Sequence, residues 1–163
     1  MKALLSIRQA TETDVPALRR LVNAAYRELQ DMGMNYTGAT QDERITRNRM
    51  EGALTIVALM GDTPVATITL EERTDPPSLY LNQLAVAPEH RGLGLARLMF
   101  GWAEVEARSR SLPCLMLDTA TRAAHLVGIY TKYGFAVIER VQWSGKNYES
   151  YIMRKELSRH TLQ

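Results

Sequence analysis

Apolar positions along the chain recur at two different intervals, and each change of interval marks a change of element. Residues 4–8 predict a first strand. In TETDVPALRRLVNAAYRELQ, which follows, Leu18, Leu21, Val22, Ala25 and Leu29 recur every three or four residues, the spacing that lines one face of an α-helix. Thr13 or Asp14 offers its N-cap, and Pro16 falls in the first turn, where a missing N–H is tolerated. DMGMNYTGAT reads as a loop. Residues 41–50, poor in apolar side chains, read as a short surface helix capped by Thr40. Residues 54–60 and 65–70 flank GDTP and predict an antiparallel hairpin. Ala66, Ile68 and Leu70 share one face of its second strand, with Val65, Thr67 and Thr69 on the other.

The next strand, LYLNQLAV, breaks its own period. Leu79 and Leu81 are odd-numbered while Leu84 and Val86 are even-numbered, so a regular strand cannot aim all four at one core. One inserted residue restores the face, which predicts a β-bulge near Asn82 and Gln83; a strand buried on both faces would give the same residues without one. After HRGLGLAR, Leu95, Leu98, Met99, Trp102 and Val105 form the stripe of a helix that ends before Pro113. CLMLD is short and continuously apolar, as a buried parallel strand should be, and completes a right-handed strand–helix–strand crossover. Thr121 can cap a helix that runs to Tyr133 and stops at Gly134. FAVIERVQW and NYESYIMRKEL then give two strands around a turn at Ser144 and Gly145. The sum is a single α/β domain over residues 1–163: a mixed sheet, antiparallel at first, with a parallel pair in the middle and helices on its faces.

Composition removes several function classes. Hydrophobic residues make up 45% and charged residues 23% of the 163, the balance of an ordinary globular chain. A net charge of +2 is too small to argue for nucleic acid, and the basic clusters Arg44, Arg47, Arg49 and Arg154, Lys155, Arg159, His160 read as solvated faces. Cys114 is the only cysteine, which rules out an internal disulfide and gives no thiol pair for zinc; among Leu115, Met116 and Leu117 it reads as core, and no metal is expected. No run has the length of a membrane span and the N-terminal apolar run is too short for a signal peptide, so the expectation is a cytoplasmic protein without a membrane partner.

The chemistry concentrates in HRGLGLAR, residues 90–97. Glycine at a strand-to-helix turn opens the left-handed backbone and lets a ligand reach the main chain, and the unpaired N–H groups of the following first turn attract anions. The same spacing also serves a turn alone. The run lacks the Gly-Lys-Ser/Thr ending of an ATP-binding loop. Arg97 stands where a dinucleotide fingerprint needs glycine, and no acid follows at the required distance.

The run LNQLAVAPEHRGLGLARLM, with IYTKYGF some thirty residues on, resembles the acetyl-CoA-binding core of the general-control-related N-acetyltransferase (GNAT) superfamily. That resemblance implies the family's fold, a mostly antiparallel sheet with one splayed parallel pair and helices on both faces. It also implies acetyl-CoA as co-substrate. The family's six-residue turn maps onto Arg91, Gly94 and Ala96; the main chain of Gly92, Leu93 and Leu95 lies within it, its amides facing the pyrophosphate of coenzyme A. Leu84, Ala85 and Val86 would lend backbone groups to the pantetheine arm, and Tyr130 matches the tyrosine that protonates or hydrogen-bonds the departing sulfur. Two departures stand out: Ala123 replaces the asparagine often found seven residues before that tyrosine, and Asn82 and Gln83 occupy the strand where many relatives carry a glutamate base.

The implied activity is an acetyl-CoA-dependent N-acetyltransferase acting on a primary amine, of a small molecule or a peptide, by direct attack in a ternary complex. The alternative is a catalytically silent acyl-CoA-binding or regulatory module. Candidate carboxylates are Glu71, Glu72 and Asp118, and the absence of a clear base favours an α-amino acceptor, whose reference pKa near 7.7 to 8.0 needs the least help. His125 reads as structural. Acceptor binding is expected at the two loops flanking the cleft, with Asn35, Tyr36, Trp143 and Tyr148 as contacts and Glu71 and Glu72 as attractors of a cationic amine. A homodimer contact would use the same exposed aromatics.

Overall fold

The computed structural model describes residues 4–157. Its strands are β1 (Leu5–Gln9), β2 (Leu54–Met60), β3 (Thr63–Thr74), β4 (Pro77–Val86), β5 (Cys114–Ala120), β6 (Ala136–Val141) and β7 (Ser150–Glu156). They form one sheet in the order β1-β2-β3-β4-β5-β7-β6. Every neighbouring pair is antiparallel except β4 and β5. The helices are α1 (Val15–Asp31), α2 (Thr37–Thr40), α3 (Glu43–Met50), α4 (Leu95–Ser109) and α5 (Ala124–Lys132). This is the mixed fold with one parallel pair that the pattern of the sequence predicts.

The period-two alternation of β2 divides the core between two faces. Ile56 and Ala58 pack with Met99, Phe100 and Ala103 of α4, whereas Val57 and Leu59 pack with Leu18, Leu21 and Val22 of α1. Ala66, Ile68 and Leu70 join the α4 side. On the opposite face of β3, Thr67 Oγ1 donates to the Ile56 carbonyl at 2.9 Å, and the Thr55 and Thr69 hydroxyls lie 3.0 Å apart. These bonds satisfy hydroxyls that would otherwise be buried at a cost.

Local chemistry moves several boundaries from those expected. Asp14 stands at the α1 N-cap, and Thr13 does not. Asp14 closes a capping box with Thr11 across a preceding 3₁₀ turn (Glu12–Asp14), accepting from the Thr11 N–H at 2.7 Å. Arg8 grips the same carboxylate with Nη1 and Nη2 at 2.7 and 2.8 Å. That bidentate bond, chiefly, holds its pKa down to about 2. The expected loop contains the single-turn α2, and α3 is capped by Asp42, whose Oδ1 accepts from Ile45 N–H at 2.8 Å, rather than by Thr40. Helix α5 starts at Ala124, so Thr121 is not its cap.

The core face of α4 differs most from expectation. Leu95, Met99, Phe100, Ala103 and Ala107 are buried, while Trp102 and Val105 are 41% and 65% exposed. The small side chains of Ala103 and Ala107 let the helix lie close against the sheet, and large size alone is a poor guide to the inner face. Arg159 and His160 of the second basic cluster lie outside the described residues.

The bulge is where the parity of β4 predicts it. Thr67 pairs with Ala85 and Thr69 with Asn82, so Gln83 and Leu84 together oppose Ile68. Gln83 takes φ 51°, in the left-handed region. The inserted residue keeps Leu79, Leu81, Leu84 and Val86 all packed on the α4 side. Past the bulge β4 no longer follows β5: the parallel ladder holds only Leu79 with Leu115 and Tyr80 with Met116. β5 continues along β7 to the pairing of Ala120 with Ser150, so a gap opens between the two central strands.

Candidate active site

The gap between β4 and β5 joins two cavities. One, of about 550 Å³, lies toward α4 and α5; the other, of about 300 Å³, lies toward α2, α3 and the β6–β7 turn. Tyr26, Tyr36, Leu84, Asp118 and Tyr130 line both, so these side chains mark the passage from one to the other.

The larger cavity gathers most of the strand and turn residues that the family resemblance points to. Leu84, Ala85 and Val86 line it from the bulged strand, and Arg91, Gly92, Gly94, Leu95 and Ala96 line it from the turn and the start of α4. Gly92 and Gly94 hold φ of 79° and 81°, a conformation side chains resist, and nothing stands within 4 Å of where a Cβ would project. Gly94 is the α4 N-cap and has no side chain to cap it, so the N–H groups of Leu95, Ala96 and Arg97 lack partners within the helix. Leu93 sits at the tip of the turn, 62% exposed, and does not line the cavity.

Arg91 Nη1 pairs with Glu28 at 3.0 Å, and Glu28 also lies 3.6 Å from His125 Nε2, which brings His125 to the cavity wall. On the strand side, Tyr26 donates to the Leu84 carbonyl at 3.1 Å, taking a group on the bulge.

Tyr130 is carried to the passage by α5, its ring edge-on to Phe100 with centroids 6.0 Å apart. Burial, reinforced by Tyr36 and Asp118, pushes its hydroxyl far above the ordinary phenol range. It therefore stays protonated, and able to donate, at any neutral pH. Asp118, at the splayed end of β5, accepts from Trp143 Nε1 at 2.7 Å.

The smaller cavity is walled by aromatic rings: Tyr36 stacks on Tyr148 at 4.7 Å, and Tyr80 and Trp143 complete the surround. Reciprocal bonds hold its two loops together, Asn35 N–H to Asn147 Oδ1 at 3.1 Å and Asn147 N–H to Asn35 Oδ1 at 3.0 Å. Tyr36 and Trp143 line this cavity as the sequence suggested; Glu71 and Glu72 do not. Glu71 touches its wall from behind, accepting from Asn82 Nδ2 at 3.1 Å and lying 3.6 Å from Arg73 Nε, and Glu72 pairs with Arg110, the C-cap of α4, at 3.5 Å.

Tyr26, Arg49 and Lys146 line the site without having been singled out for it. Tyr26 follows Val22 by one helical turn and so extends the apolar stripe of α1, a signal available in the sequence. Nothing local separates Arg49 from its solvated neighbours Arg44 and Arg47. Among the described residues no group of His, Cys, Asp and Glu could hold a metal ion, and no helix is long and apolar enough to cross a membrane.

The model of the acetyltransferase (GNAT) family matches residues 15–135. An S-alkylcysteine N-acetyltransferase of Bacillus subtilis is 27% identical over 138 residues, covering 80% of this chain and 78% of its own. The catalytic subunit of the N-terminal acetyltransferase B complex of Schizosaccharomyces pombe is 34% identical over 87 residues, covering 49% and 47%. Among solved structures, the ribosomal-protein-S18-alanine N-acetyltransferase from Escherichia coli superposes with a TM-score of 0.77 at 17% identity, over 98% of this chain and 99% of that one. The Thermoplasma acidophilum PaiA N-acetyltransferase in complex with coenzyme A gives 0.71 at 16% identity, over 94% and 99%. With the split sheet, the bulge and the open glycine turn in place, the chain belongs to the acetyltransferase (GNAT) family.

Proposed function

We propose that this protein is an acetyl-CoA-dependent N-acetyltransferase that passes the acetyl group directly to a primary α-amine while both substrates are bound. The observation that carries the reading is the meeting of two cavities at Tyr130. One is edged by free helix-start amides and open glycines that suit a pyrophosphate, the other by polar and aromatic side chains that suit an amine. The glycine turn fits coenzyme A on the structure's own terms, because left-handed backbone with no Cβ and no capping side chain leaves the amides of α4 accessible. Bound there, acetyl-CoA supplies the thioester; the turn 91–96 holds its phosphates and Leu84, Ala85 and Val86 hold its arm.

Each chain residue then has a limited task. Asp118 attracts the incoming ammonium into the passage, where the amine must lose a proton before it can attack. As the nitrogen bonds to the acetyl carbon and the C–S bond breaks, the Tyr130 hydroxyl donates to the departing sulfur, and the proton released by the amine restores the phenol through solvent. The raised pKa of Tyr130 suits a donor that must remain protonated between turnovers. The two relatives named for S-alkylcysteine and for N-termini support an α-amino acceptor, the class that requires least deprotonation.

The test is free-thiol release and mass-spectrometric detection of the acetylated product, with acetyl-CoA and a panel of α-amines. Thiol release that depends on the amine is the expected result. A chain that binds acetyl-CoA and releases no thiol with any amine is a binding module instead.

A further inference from the structure

The smaller cavity has an unbalanced charge. Arg49, Arg73 and Lys146 line it, against the single carboxylate of Asp118. Arg73 is accounted for: its guanidinium lies 3.5 Å over the Tyr80 ring and 3.6 Å from Glu71. Arg49 and Lys146 are not, since among the described residues neither forms an ion pair.

Both are nevertheless held in place by neutral groups. Lys146 Nζ donates to Thr37 Oγ1 at 2.7 Å and to the Asn35 carbonyl at 3.0 Å. With its amide turned so that the oxygen faces Arg49, Gln83 on the bulge accepts from Arg49 Nη1 at 2.9 Å and Nε at 3.1 Å. Lys146 keeps one N–H and Arg49 three, unclaimed by these bonds. Desolvation, chiefly, lowers the pKa of both; for Lys146 the nearby Arg49 adds to it, while for Arg49 the neighbouring Tyr26, Tyr148 and Asp118 act against it. Two oriented cations that repel each other and lack a counter-ion make a site for an anion. The phosphates of coenzyme A do not need it, because the larger cavity has Arg91, Lys132 and the turn amides of its own.

Resting on the acetyl-transfer reading above, we infer that the acceptor is a free α-amino acid, its carboxylate held by Arg49 and Lys146 while its amine stands between Asp118 and Tyr130. The products are the N-acetylamino acid and coenzyme A. The geometry separates the two charges of a zwitterion: the cationic wall of Arg49 and Lys146 lies at the bulge and where the β6–β7 turn meets α2, and the carboxylate of Asp118 lies at the passage. A volume of about 300 Å³ is at the small end of sites for compact ligands. The rings of Tyr36, Tyr148 and Trp143 favour an apolar or aromatic side chain. A polyamine would bring positive charge against Arg49 and Lys146, and a peptide would place an uncharged amide where the carboxylate belongs.

The experiment compares kcat/KM, by thiol release, for L-methionine, L-methioninamide and a short peptide beginning with methionine, and for the same trio built on L-phenylalanine. The free acid of at least one trio should exceed its amide and peptide by about 10- to 100-fold, the worth of a charge-assisted bond pair. In Arg49→Gln and in Lys146→Gln the ratio of acid to amide should collapse toward one, with Arg49→Lys retaining part of it. A ratio is independent of how much of a variant folds. If amides or peptides match the free acids in the parent, or if the ratio survives both substitutions, the inference is overturned while acetyl transfer stands. If no acceptor releases thiol although acetyl-CoA binds by calorimetry, acetyl transfer itself fails and this inference with it.

Discussion

The two cavities that meet at Tyr130 are built from different materials. On the side proposed for coenzyme A the groups offered belong to the main chain: amides at the start of α4, two glycines with positive φ, and the bulged backbone of β4. On the side proposed for the acceptor they are side chains delivered by separate segments, Tyr36 from the α1–α2 loop, Arg49 from α3, Asp118 from β5, and Trp143 and Lys146 from the β6–β7 turn. A main-chain site tolerates any residue that preserves the backbone path, whereas a side-chain site can be respecified by a few substitutions. The same fold can therefore keep one substrate and exchange the other.

The sharpest way to break this comparison is to act at the junction. Tyr130→Phe keeps the ring that packs on Phe100 and removes only the hydroxyl, so kcat should fall by about 10² to 10⁴ with coenzyme A affinity unchanged. Equal activity across the pH range would return Tyr130 to a packing role.

Next comes the main-chain side. Gly94→Asp sets a side chain and a negative charge at a left-handed position beside the phosphates, and coenzyme A affinity measured by calorimetry should drop by about 100-fold or more. No neighbour blocks the new side chain, and the left-handed backbone should cost about 1–2 kcal/mol, so circular dichroism is expected to stay native with a modestly lowered melting temperature.

A smaller effect is expected on the other side. Tyr36→Ala removes a ring stacked on Tyr148 and should raise the acceptor KM by about tenfold without altering coenzyme A binding. Glu72→Gln, outside the cavity and paired with Arg110, should leave the acceptor KM as it is.

The smallest effect serves as the control, because it touches neither cavity. Asp14, whose pKa falls from 3.8 to about 2 on folding, contributes stability that is present above its unfolded value and lost as pH falls through about 2. Asp14→Asn should cost about 1 kcal/mol in denaturant melts at neutral pH, flatten the acid limb below pH 4, and leave both substrate affinities alone.

The contrast between the cavities also explains what the sequence discloses. Features set by neighbouring residues are legible: the parity break from Leu81 to Leu84 announces the bulge, and the glycine spacing announces the turn, because backbone geometry is written in local order. Features set by long-range docking are not. Arg44, Arg47 and Arg49 look alike in sequence, and only the seating of α3 beside Gln83 distinguishes Arg49. Asp118 stands in sequence as one candidate carboxylate beside Glu71 and Glu72, and only the split of the sheet around it sets it apart from them. The α4 face departs from its sequence pattern for a related reason: Trp102 outweighs Ala103 in hydrophobicity, yet close approach to the sheet selects the smaller residue.

The account turns on both cavities being filled before the acetyl group moves across the passage. Initial rates of thiol release, with acetyl-CoA and the acceptor varied together, test it most directly. Intersecting double-reciprocal lines are predicted, as direct transfer in a ternary complex requires. Parallel lines, with acetyl-labelled protein trapped when the acceptor is withheld, would mean that a residue of the chain carries the acetyl group in between, and would contradict it.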